Sequence, residues 1–297
     1  MGACYSLSMR FTLLLLMSLT MTTAHALDVH GHRGARWSRP ENTLPAFQFA
    51  IESGANTLEL DMHVTSDDIV VITHDPYLNP KLCVDKDGKT IPDNLLVHKM
   101  TLAQLQTYDC GKLQNPKFPT QQPVPKTPIP TLDALFTTVE KSKLPAAKKI
   151  RFNIETKSEA EHPEYTPEPE KFVHLFLSVV KTHRMMNRVI LQSFDYRTLK
   201  IARKLAPKLP LSVLVEYRPG NTESLVKLMK DNDAQILSPD YSWLTDDDIK
   251  AIHEMKAKVI PWTVNDESDW KRLIKFGVDG LITDNPKGLI EYLKKSI

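Results

Sequence analysis

The sequence predicts an α/β protein whose strands close into a single barrel. Short apolar runs rich in β-forming residues recur along the chain and alternate with stretches of helical periodicity. Eight such strands with helices between them predict parallel pairing, because parallel neighbours are joined by long crossovers that are usually helical. A length of 297 residues suits one closed domain of this type. We therefore expect a TIM (β/α)8 barrel.

The predicted elements follow one another in a regular order. The eight strands are Leu27–His32, Thr57–Val64, Ile150–Glu155, Val189–Ser193, Leu211–Glu216, Ala234–Ser238, Val259–Val264 and Gly280–Thr283. Helical patterns cover Leu44–Glu52, Phe172–Lys181, Tyr196–Leu205, Thr222–Lys230, Asp246–Met255, Glu267–Phe276 and Pro286–Lys294. The run 40–43 (PENT) suits the start of the first helix, with Asn42 or Thr43 as its cap. Glu41 in this run is also a candidate for contact with a catalytic group.

A ninth apolar run, Ile69–Thr73, does not fit the alternation of strands and helices. Only residues 65–68 separate it from the second strand, and this segment is too short for a helical crossover. We therefore predict that the run returns as the second arm of a β-hairpin. The hairpin brings His74 level with Leu60 or Asp61.

Residues 1–26 differ in composition from the rest of the chain. One charged residue, Arg10, precedes an apolar run at 11–17, and a small-x-small sequence ends at Ala26. This order is typical of a secretory signal peptide cleaved after Ala26. A membrane-spanning helix would need about 20 apolar residues. We expect residues 27–297 to form one exported domain without a stable membrane anchor. The short leader and the lack of Asn-x-Ser/Thr sequons favour the periplasm over full secretion.

Residues 77–130 interrupt the barrel pattern. Eight of them are proline, and helical periodicity is weak apart from Thr101–Tyr108. A loop of this length inside a barrel is usually functional or a small subdomain, so we interpret it as an insertion covering the catalytic face. The insertion contains Cys83 and Cys110, the two cysteines of the mature chain. An even cysteine count in an exported protein favours a disulfide between them, and two unrelated thiols are the alternative.

The charge balance argues against some partners. Without Arg10, 37 basic residues face 36 acidic ones. This balance does not suit a nucleic-acid-binding protein that relies on a basic surface. It also provides no overall field to steer an anion, so phosphate selectivity has to come from local groups. Nothing in the sequence indicates an oligomeric state.

The carboxyl ends of the predicted strands carry polar and charged residues, and barrel enzymes place their catalytic groups there. Glu59 and Asp61 lie two residues apart on one strand, so their side chains face the same side. Glu155 ends the next barrel strand. Three carboxylates without cysteine favour one hard divalent cation, Ca²⁺ or Mg²⁺. The alternative is that they are solvated acids paired with Arg33 and Lys157.

Two histidines, His32 and His74, are the candidate proton carriers. Imidazole titrates near neutral pH, so such a pair can supply both a general base and a general acid. His30 lies lower on the same strand face as His32, where packing is the simpler interpretation. His63 lies beyond Asp61 and is close enough to reach the rim.

Four further residues are candidates for substrate binding. Arg33 and Lys157 can bind an anionic group of a substrate, since arginine binds as a fork and lysine as a point charge. Gln192 and Trp262 lie at the ends of two further strands. The Trp262 indole offers an apolar wall for the substrate.

The motifs of this chain resemble those of glycerophosphodiester phosphodiesterases. The most specific motifs are HRG (32–34), PENT (40–43), ELD (59–61) and HD (74–75), and the supporting ones are NIETK (153–157), QSF (192–194), WTVN (262–265) and GLITD (280–284). Together they span nearly all of the mature chain. The resemblance implies that Glu59, Asp61 and Glu155 bind the metal. The family usually has glycine in the hairpin turn where this chain has Asp68, which leaves every catalytic position filled.

The resemblance also implies a reaction. The family hydrolyses glycerophosphodiesters, deacylated phospholipids such as glycerophosphocholine or glycerophosphoethanolamine, to glycerol 3-phosphate and an alcohol. The implied route is attack of the glycerol 2-hydroxyl on phosphorus, which gives a cyclic phosphate that water then opens. The metal would hold the hydroxyl and a phosphate oxygen while the two histidines exchange protons.

Two alternatives lead to different functions. A phospholipase of the same barrel type would act on intact lipid and would need an apolar rim for the bilayer. The insertion offers Leu95, Leu96 and Val97 for this purpose but no aromatic cluster. A non-catalytic periplasmic glycerophosphodiester-binding protein is expected to have lost a histidine or a carboxylate, and this chain retains all of them.

Overall fold

Eight parallel strands and one antiparallel arm form a single sheet. The computed structural model describes residues 1–2 and 27–296, so the predicted signal peptide lies almost entirely outside the described residues. The strands are β1 (Asp28–Gly31), β2 (Thr57–Val64), β3 (Val70–Ile72), β4 (Arg151–Thr156), β5 (Val189–Ser193), β6 (Leu211–Val215), β7 (Ile236–Pro239), β8 (Lys258–Val259) and β9 (Gly280–Thr283). Neighbouring strands follow the order β8-β7-β6-β5-β4-β2-β1-β9, and β3 pairs with β2 alone.

The sheet curves round until its two ends meet. Beyond the short strand β8, the carbonyl of Pro261 accepts a hydrogen bond from the amide of Ile282 at 3.0 Å, and the amide of Val264 donates to Ile282 at 2.9 Å. The amide of Asp279 donates to Val259 at 3.0 Å. These bonds join the β8 side to β9, so the eight parallel strands form a nearly closed barrel. The predicted TIM-barrel fold is confirmed.

Helices cover the outside of the barrel. They are α1 (Leu44–Ser53), α3 (Leu132–Lys141), α4 (Pro169–Thr182), α5 (Tyr196–Leu205), α6 (Thr222–Asp231), α7 (Asp246–Glu254), α8 (Glu267–Phe276) and α9 (Pro286–Lys295). The short helix α2 (Leu102–Leu105) lies in the segment between β3 and α3, which packs beside the barrel. Thr43 caps α1 by accepting from the amide of Ala46, as one of the two predicted caps. No helix in the described part of the chain is long and apolar enough to cross a membrane.

Helix α3 is the crossover between β2 and β4, and it was not among the predicted helices. Thr131 caps its first turn, and Leu132, Leu135, Phe136 and Val139 are buried. Their spacing places them on one face of a helix, which packs on the outside of the sheet. The pattern follows directly on the proline-rich segment, which obscured its start.

The predicted hairpin is confirmed. β2 and β3 pair antiparallel, with Met62 opposite Ile72 and His63 opposite Val71. Asp68 takes a left-handed conformation in the turn, with φ of 64°. The amide of Thr73 donates to the carbonyl of Asp61 at 3.1 Å, which brings the residue after it to the predicted level.

Residues between β3 and α3 build a second, smaller core beside the barrel. Its buried members are Val71, Leu78, Cys83, Ile91, Val97, Leu105 and Ile129. Cys83 and Cys110 form a disulfide within it. Buried Gln121 ties this subdomain to the β1–α1 loop, because its amide nitrogen donates to the carbonyls of Arg36 at 2.6 Å and Arg39 at 3.1 Å.

Candidate active site

One pocket at the carboxyl end of the barrel collects the predicted proton carriers, metal ligands and substrate-binding residues. It has a volume of about 180 Å³, which is room for an ion, ordered water and a small phosphate ester. Its lining includes His32, Arg33, Glu59, Asp61, His74, Glu155, Lys157, Gln192 and Trp262. Arg36, Phe194 and Thr263 also line it. The strand ends and the hairpin therefore converge as expected.

Three buried carboxylates form the floor of this pocket. The β2–β4 register pairs Asp61 with Glu155, and Glu59 lies two residues before Asp61 on the same face. One carboxylate oxygen from each of the three lies within 4.8 Å of the others. Only 2% of Glu59, 1% of Asp61 and 7% of Glu155 is exposed, so these are not solvated acids at a strand end.

The carboxylate cluster carries more negative charge than its neighbours offset. Arg33 and Lys157 contact it, but Arg33 also pairs with Glu41 at 2.7 Å. Burial, followed by the charge of Asp61, raises the pKa of Glu59 well above its ordinary value. Burial also raises the pKa of Glu155, against the opposing charge of Lys157. An all-oxygen, buried and incompletely neutralised donor set fits a hard divalent cation.

His32 is held by a network of hydrogen bonds around Asp284. The Asp284 carboxylate accepts from His32 Nδ1 at 2.6 Å, from Arg36 Nε at 2.5 Å and from Asn265 Nδ2 at 2.8 Å. Nδ1 therefore carries the proton, and Nε2 presents its lone pair to the pocket, 3.9 Å from a Glu59 oxygen. Burial, and then the charge of Arg36, lower the pKa of His32 to about 4. The imidazole is neutral and can accept a proton.

His74 faces the same pocket from the hairpin. Its Nδ1 donates to Asp75 at 2.7 Å, and the Lys157 ammonium donates to its Nε2 at 3.2 Å. The hydrogen bond with His74 lowers the pKa of Asp75 to about 2, although burial opposes the shift. The side chain of His74 is 31% exposed, compared with 12% for His32. The two histidines thus share one arrangement, with Nδ1 held by an aspartate, but differ in access to solvent.

His63 supports His74 through the main chain. Its ring is buried, and its Nε2 donates to the carbonyl oxygen of His74 at 3.1 Å. Burial lowers the pKa of His63 to about 4, so the ring is neutral and only one nitrogen carries a proton. His63 therefore does not line the pocket, and it instead holds the main chain of the loop that carries His74.

Replacing His63 by leucine is expected to lower kcat by about tenfold, because the carbonyl of His74 loses its donor and the His74 loop loses its position. Glutamine can place an N–H near the position of Nε2, so His63→Gln is expected to retain most of the activity. Measurement of kcat and Tm for both variants checks this. Equal kcat losses at equal Tm would show that the hydrogen bond has no influence on His74.

The loop after β1 adopts strained conformations that aim polar groups at the cluster. Arg33 and Asn42 are left-handed, with φ of 49° and 56°. The amide of Arg33 donates to a Glu59 oxygen at 2.9 Å, and the side chain of Asn42 donates to Asp61 at 2.9 Å. Asn42 was predicted only as a possible helix cap. Its contact with Asp61 could not be read from a capping motif.

Gln192 and Trp262 lie in the pocket wall, but their polar atoms are already engaged. Gln192 donates to Glu59 at 2.8 Å and accepts from Asn153 at 2.8 Å, and only 1% of it is exposed. The indole N–H of Trp262 donates to the carbonyl of Ser238, and its ring packs edge-on against Phe194. Gln192 thus orients a carboxylate, whereas the two aromatic rings form an apolar side of the pocket.

A parallel β/α barrel whose mouth combines a three-carboxylate cluster with two aspartate-held histidines has the equipment of a metal-assisted hydrolase. Residues 32–288 match the model of the glycerophosphoryl diester phosphodiesterase family. The chain belongs to this family, and it is an enzyme of the phosphoric diester hydrolase class.

Relatives of known name support this assignment. The chain is 32% identical over 267 residues to a glycerophosphodiester phosphodiesterase of Caldanaerobacter subterraneus, covering 90% of this chain and 98% of the relative. A solved structure named as a glycerophosphoryl diester phosphodiesterase from Silicibacter pomeroyi superposes with a TM-score of 0.85 at 29% identity, over 92% and 94% of the two chains. An Oleispira antarctica phosphodiesterase, solved with the product sn-glycerol 3-phosphate, gives a TM-score of 0.73 at 25% identity, over 90% and 96%.

Proposed function

We propose that this enzyme hydrolyses soluble glycerophosphodiesters, such as glycerophosphocholine and glycerophosphoethanolamine, to glycerol 3-phosphate and an alcohol. One observation carries the proposal: two imidazoles, each held at Nδ1 by an aspartate, face a single pocket whose floor is a buried carboxylate cluster. The sn-glycerol 3-phosphate found in the Oleispira antarctica relative is the product that this reaction would release.

Different access to solvent supports different roles for the two histidines. His32 is deep and neutral and presents a lone pair to the pocket, so it serves as the base that takes the proton of the attacking glycerol 2-hydroxyl. His74 is closer to solvent, and Asp75 holds its Nδ1. It serves as the acid that protonates the leaving alkoxide. The resulting cyclic phosphate is then opened by water, with the roles reversed.

Lys157 links the acid to the phosphate. In the structure its ammonium donates to His74 Nε2 at 3.2 Å and contacts Glu155 at 3.0 Å. Once His74 is protonated, Nε2 can no longer accept that hydrogen bond. Lys157 is then free to bind a non-bridging phosphate oxygen, together with Arg33 and Arg36, which line the same pocket.

Glu59, Asp61 and Glu155 would hold a single Ca²⁺ or Mg²⁺. A bound cation of this kind stabilises negative charge that develops on the phosphate and on the attacking oxygen. Trp262 and Phe194 provide an apolar wall against which the carbon atoms of glycerol or the head group can pack.

The packing of the insertion favours a soluble substrate over intact lipid. Val97 is buried in the core of the insertion, and Leu95 packs against that core. Two of the three residues that the phospholipase alternative would use as an apolar rim are therefore engaged inside the protein. The intact-lipid reaction remains an outcome of the experiment below.

The decisive experiment measures glycerol 3-phosphate release from glycerophosphocholine. The protein is taken from the periplasmic fraction, where we propose that it resides, and its amino terminus is sequenced for cleavage before Leu27. The assay runs with Ca²⁺, with Mg²⁺ and with chelator. Metal-dependent release supports the proposal. Tight binding without release would identify a capture protein, and activity on phosphatidylcholine alone would identify a phospholipase.

A further inference from the structure

At the end of the barrel opposite the active site, three neighbouring connections carry a concentrated positive charge. Segments 141–151, 181–188 and 203–210 connect α3 to β4, α4 to β5 and α5 to β6, and these three strands are neighbours in the sheet. Together the segments, here called the basic face, contain eleven lysines and arginines and no aspartate or glutamate. The chain as a whole has a net charge of only +2. The charge is therefore segregated within the molecule.

Helix dipoles account for only part of this segregation. Lys141, Lys181 and Arg203 lie in last helical turns, where a cation stabilises the helix. Lys148 ends a short 3₁₀-helix (Pro145–Lys148), whereas Lys143, Lys149, Arg184 and Lys208 lie outside helices, and all five are exposed. Within the described residues, none of the ion pairs involves any of these five. Ion pairing within the protein therefore explains none of these five positive charges.

A basic groove lies on the same end of the barrel. It has a volume of about 550 Å³, and its charged lining consists of Arg151, Arg188, Arg203, Lys208, Lys256 and Lys258 against a single acid, Asp233. Arg188 is fixed by donating to the carbonyls of Ile150 and Ala147, both at 2.7 Å. The groove is large enough for a phosphorylated head group, and the guanidinium of Arg188 is already held in place.

The composition of the basic face points to lipid rather than nucleic acid. The three segments contain no phenylalanine, tyrosine or tryptophan on which bases could stack. Their exposed cations are mostly lysines, and Leu205, which lies between two of them, is 36% exposed. A lysine-rich surface with an exposed aliphatic side chain suits the interface of an anionic bilayer.

We propose that the basic face docks the enzyme onto anionic phospholipid bilayers. Docking in this orientation leaves the active-site mouth facing away from the membrane. The enzyme would then meet soluble substrate near the surface from which deacylated lipid is released. The docking does not depend on the catalytic chemistry, so the two proposals can fail separately.

Vesicle sedimentation tests the proposal. The mature protein is expected to bind vesicles of equimolar phosphatidylglycerol and phosphatidylcholine, to ignore vesicles of phosphatidylcholine alone, and to be released by high salt. The variant Lys148→Glu/Lys149→Glu/Lys208→Glu is expected to lose at least tenfold in vesicle affinity. Its hydrolysis of soluble glycerophosphocholine should be unchanged, because these side chains lie outside the active site.

A matched variant controls for net charge. Lys81→Glu/Lys86→Glu/Lys117→Glu reverses three exposed lysines of the insertion and should retain vesicle binding. Equal losses in both triple variants would overturn the proposal, because binding would then follow net charge and not the basic face. Binding of duplex DNA in place of vesicles would overturn it as well, and so would the absence of vesicle binding by the unmodified protein.

Discussion

Replacing His32 by alanine is expected to lower kcat for glycerophosphocholine hydrolysis by about 10²–10⁴-fold, the usual contribution of a positioned general base. The imidazole is neutral, oriented by Asp284 and directed into the pocket, and alanine removes its lone pair. The folded state should persist, since the side chain faces a pocket and not the apolar core. Measurement of the Tm of the variant checks that it is folded.

The two histidines can be distinguished by the leaving group. On a p-nitrophenyl ester of glycerol 3-phosphate, the phenolate leaves without needing a proton. His74→Ala is therefore expected to lose about tenfold or less on this ester, but about 10²–10⁴-fold on glycerophosphocholine. His32→Ala should lose activity on both substrates.

His174→Ala serves as a control, because this histidine is exposed on α4, away from the pocket. It should retain full activity on both esters. The assignment would be reversed if the p-nitrophenyl ester rescued His32→Ala but not His74→Ala.

Replacing Asp61 by asparagine is expected to abolish the metal-induced rise in Tm and to lower the activity at least about 10²-fold. In the unmodified protein, saturating Ca²⁺ or Mg²⁺ should raise Tm by about 5 °C, since a cation at 100 times its Kd stabilises the fold by about 2.7 kcal/mol. The amide oxygen of the introduced side chain can still accept the hydrogen bond from Asn42, while one charge leaves the crowded cluster. Burial opposes the charge of Asp61, but nearby His74, Arg33 and Lys157 outweigh it and hold the pKa of Asp61 below its ordinary value, so this charge stabilises the fold. The Tm of the variant without metal should therefore fall, and the quantity compared is the metal-induced rise in Tm.

Scanning fluorimetry with Ca²⁺, Mg²⁺ and chelator measures these shifts. Glu216→Gln is the matched control, because it removes one exposed carboxylate at the end of β6, outside the cluster. Its metal-induced rise in Tm should equal that of the unmodified protein. If Asp61→Asn kept the full rise, the cation would have to bind elsewhere.

The barrel could be predicted because its strands are buried on both faces and read as compact apolar runs. β2 and β5 begin and end as predicted. The prediction missed α3, because its apolar spacing begins directly after the proline-rich segment, which obscures the start of the helix. Strand β8 is much shorter than its apolar run, since the chain beyond Val259 closes the barrel through isolated hydrogen bonds.

The residues that line the pocket could be predicted from residue type and position, whereas the groups that orient them could not. Asp284 directly follows the last predicted strand, but its bond to His32 spans 252 positions of sequence. Arg36 reaches the same carboxylate from an irregular loop, and sequence spacing gives no direction for such a side chain. Gln192 was expected to contact substrate, but it holds Glu59, because its neighbour Asn153 occupies the other end of the amide.

The strict pairing of β2 with β4 restricts which insertions and deletions this chain can tolerate. Leu58, Leu60 and Met62 alternate with Glu59 and Asp61 and pack in the apolar layer between sheet and helices. Loss of one residue within β2 would exchange the two faces of the strand. Glu59 and Asp61 would then point into the apolar layer, and the candidate cation site would lose two of its three carboxylates. Insertions and deletions should therefore occur in the connecting segments, while strand β2 keeps its length of eight residues in active relatives.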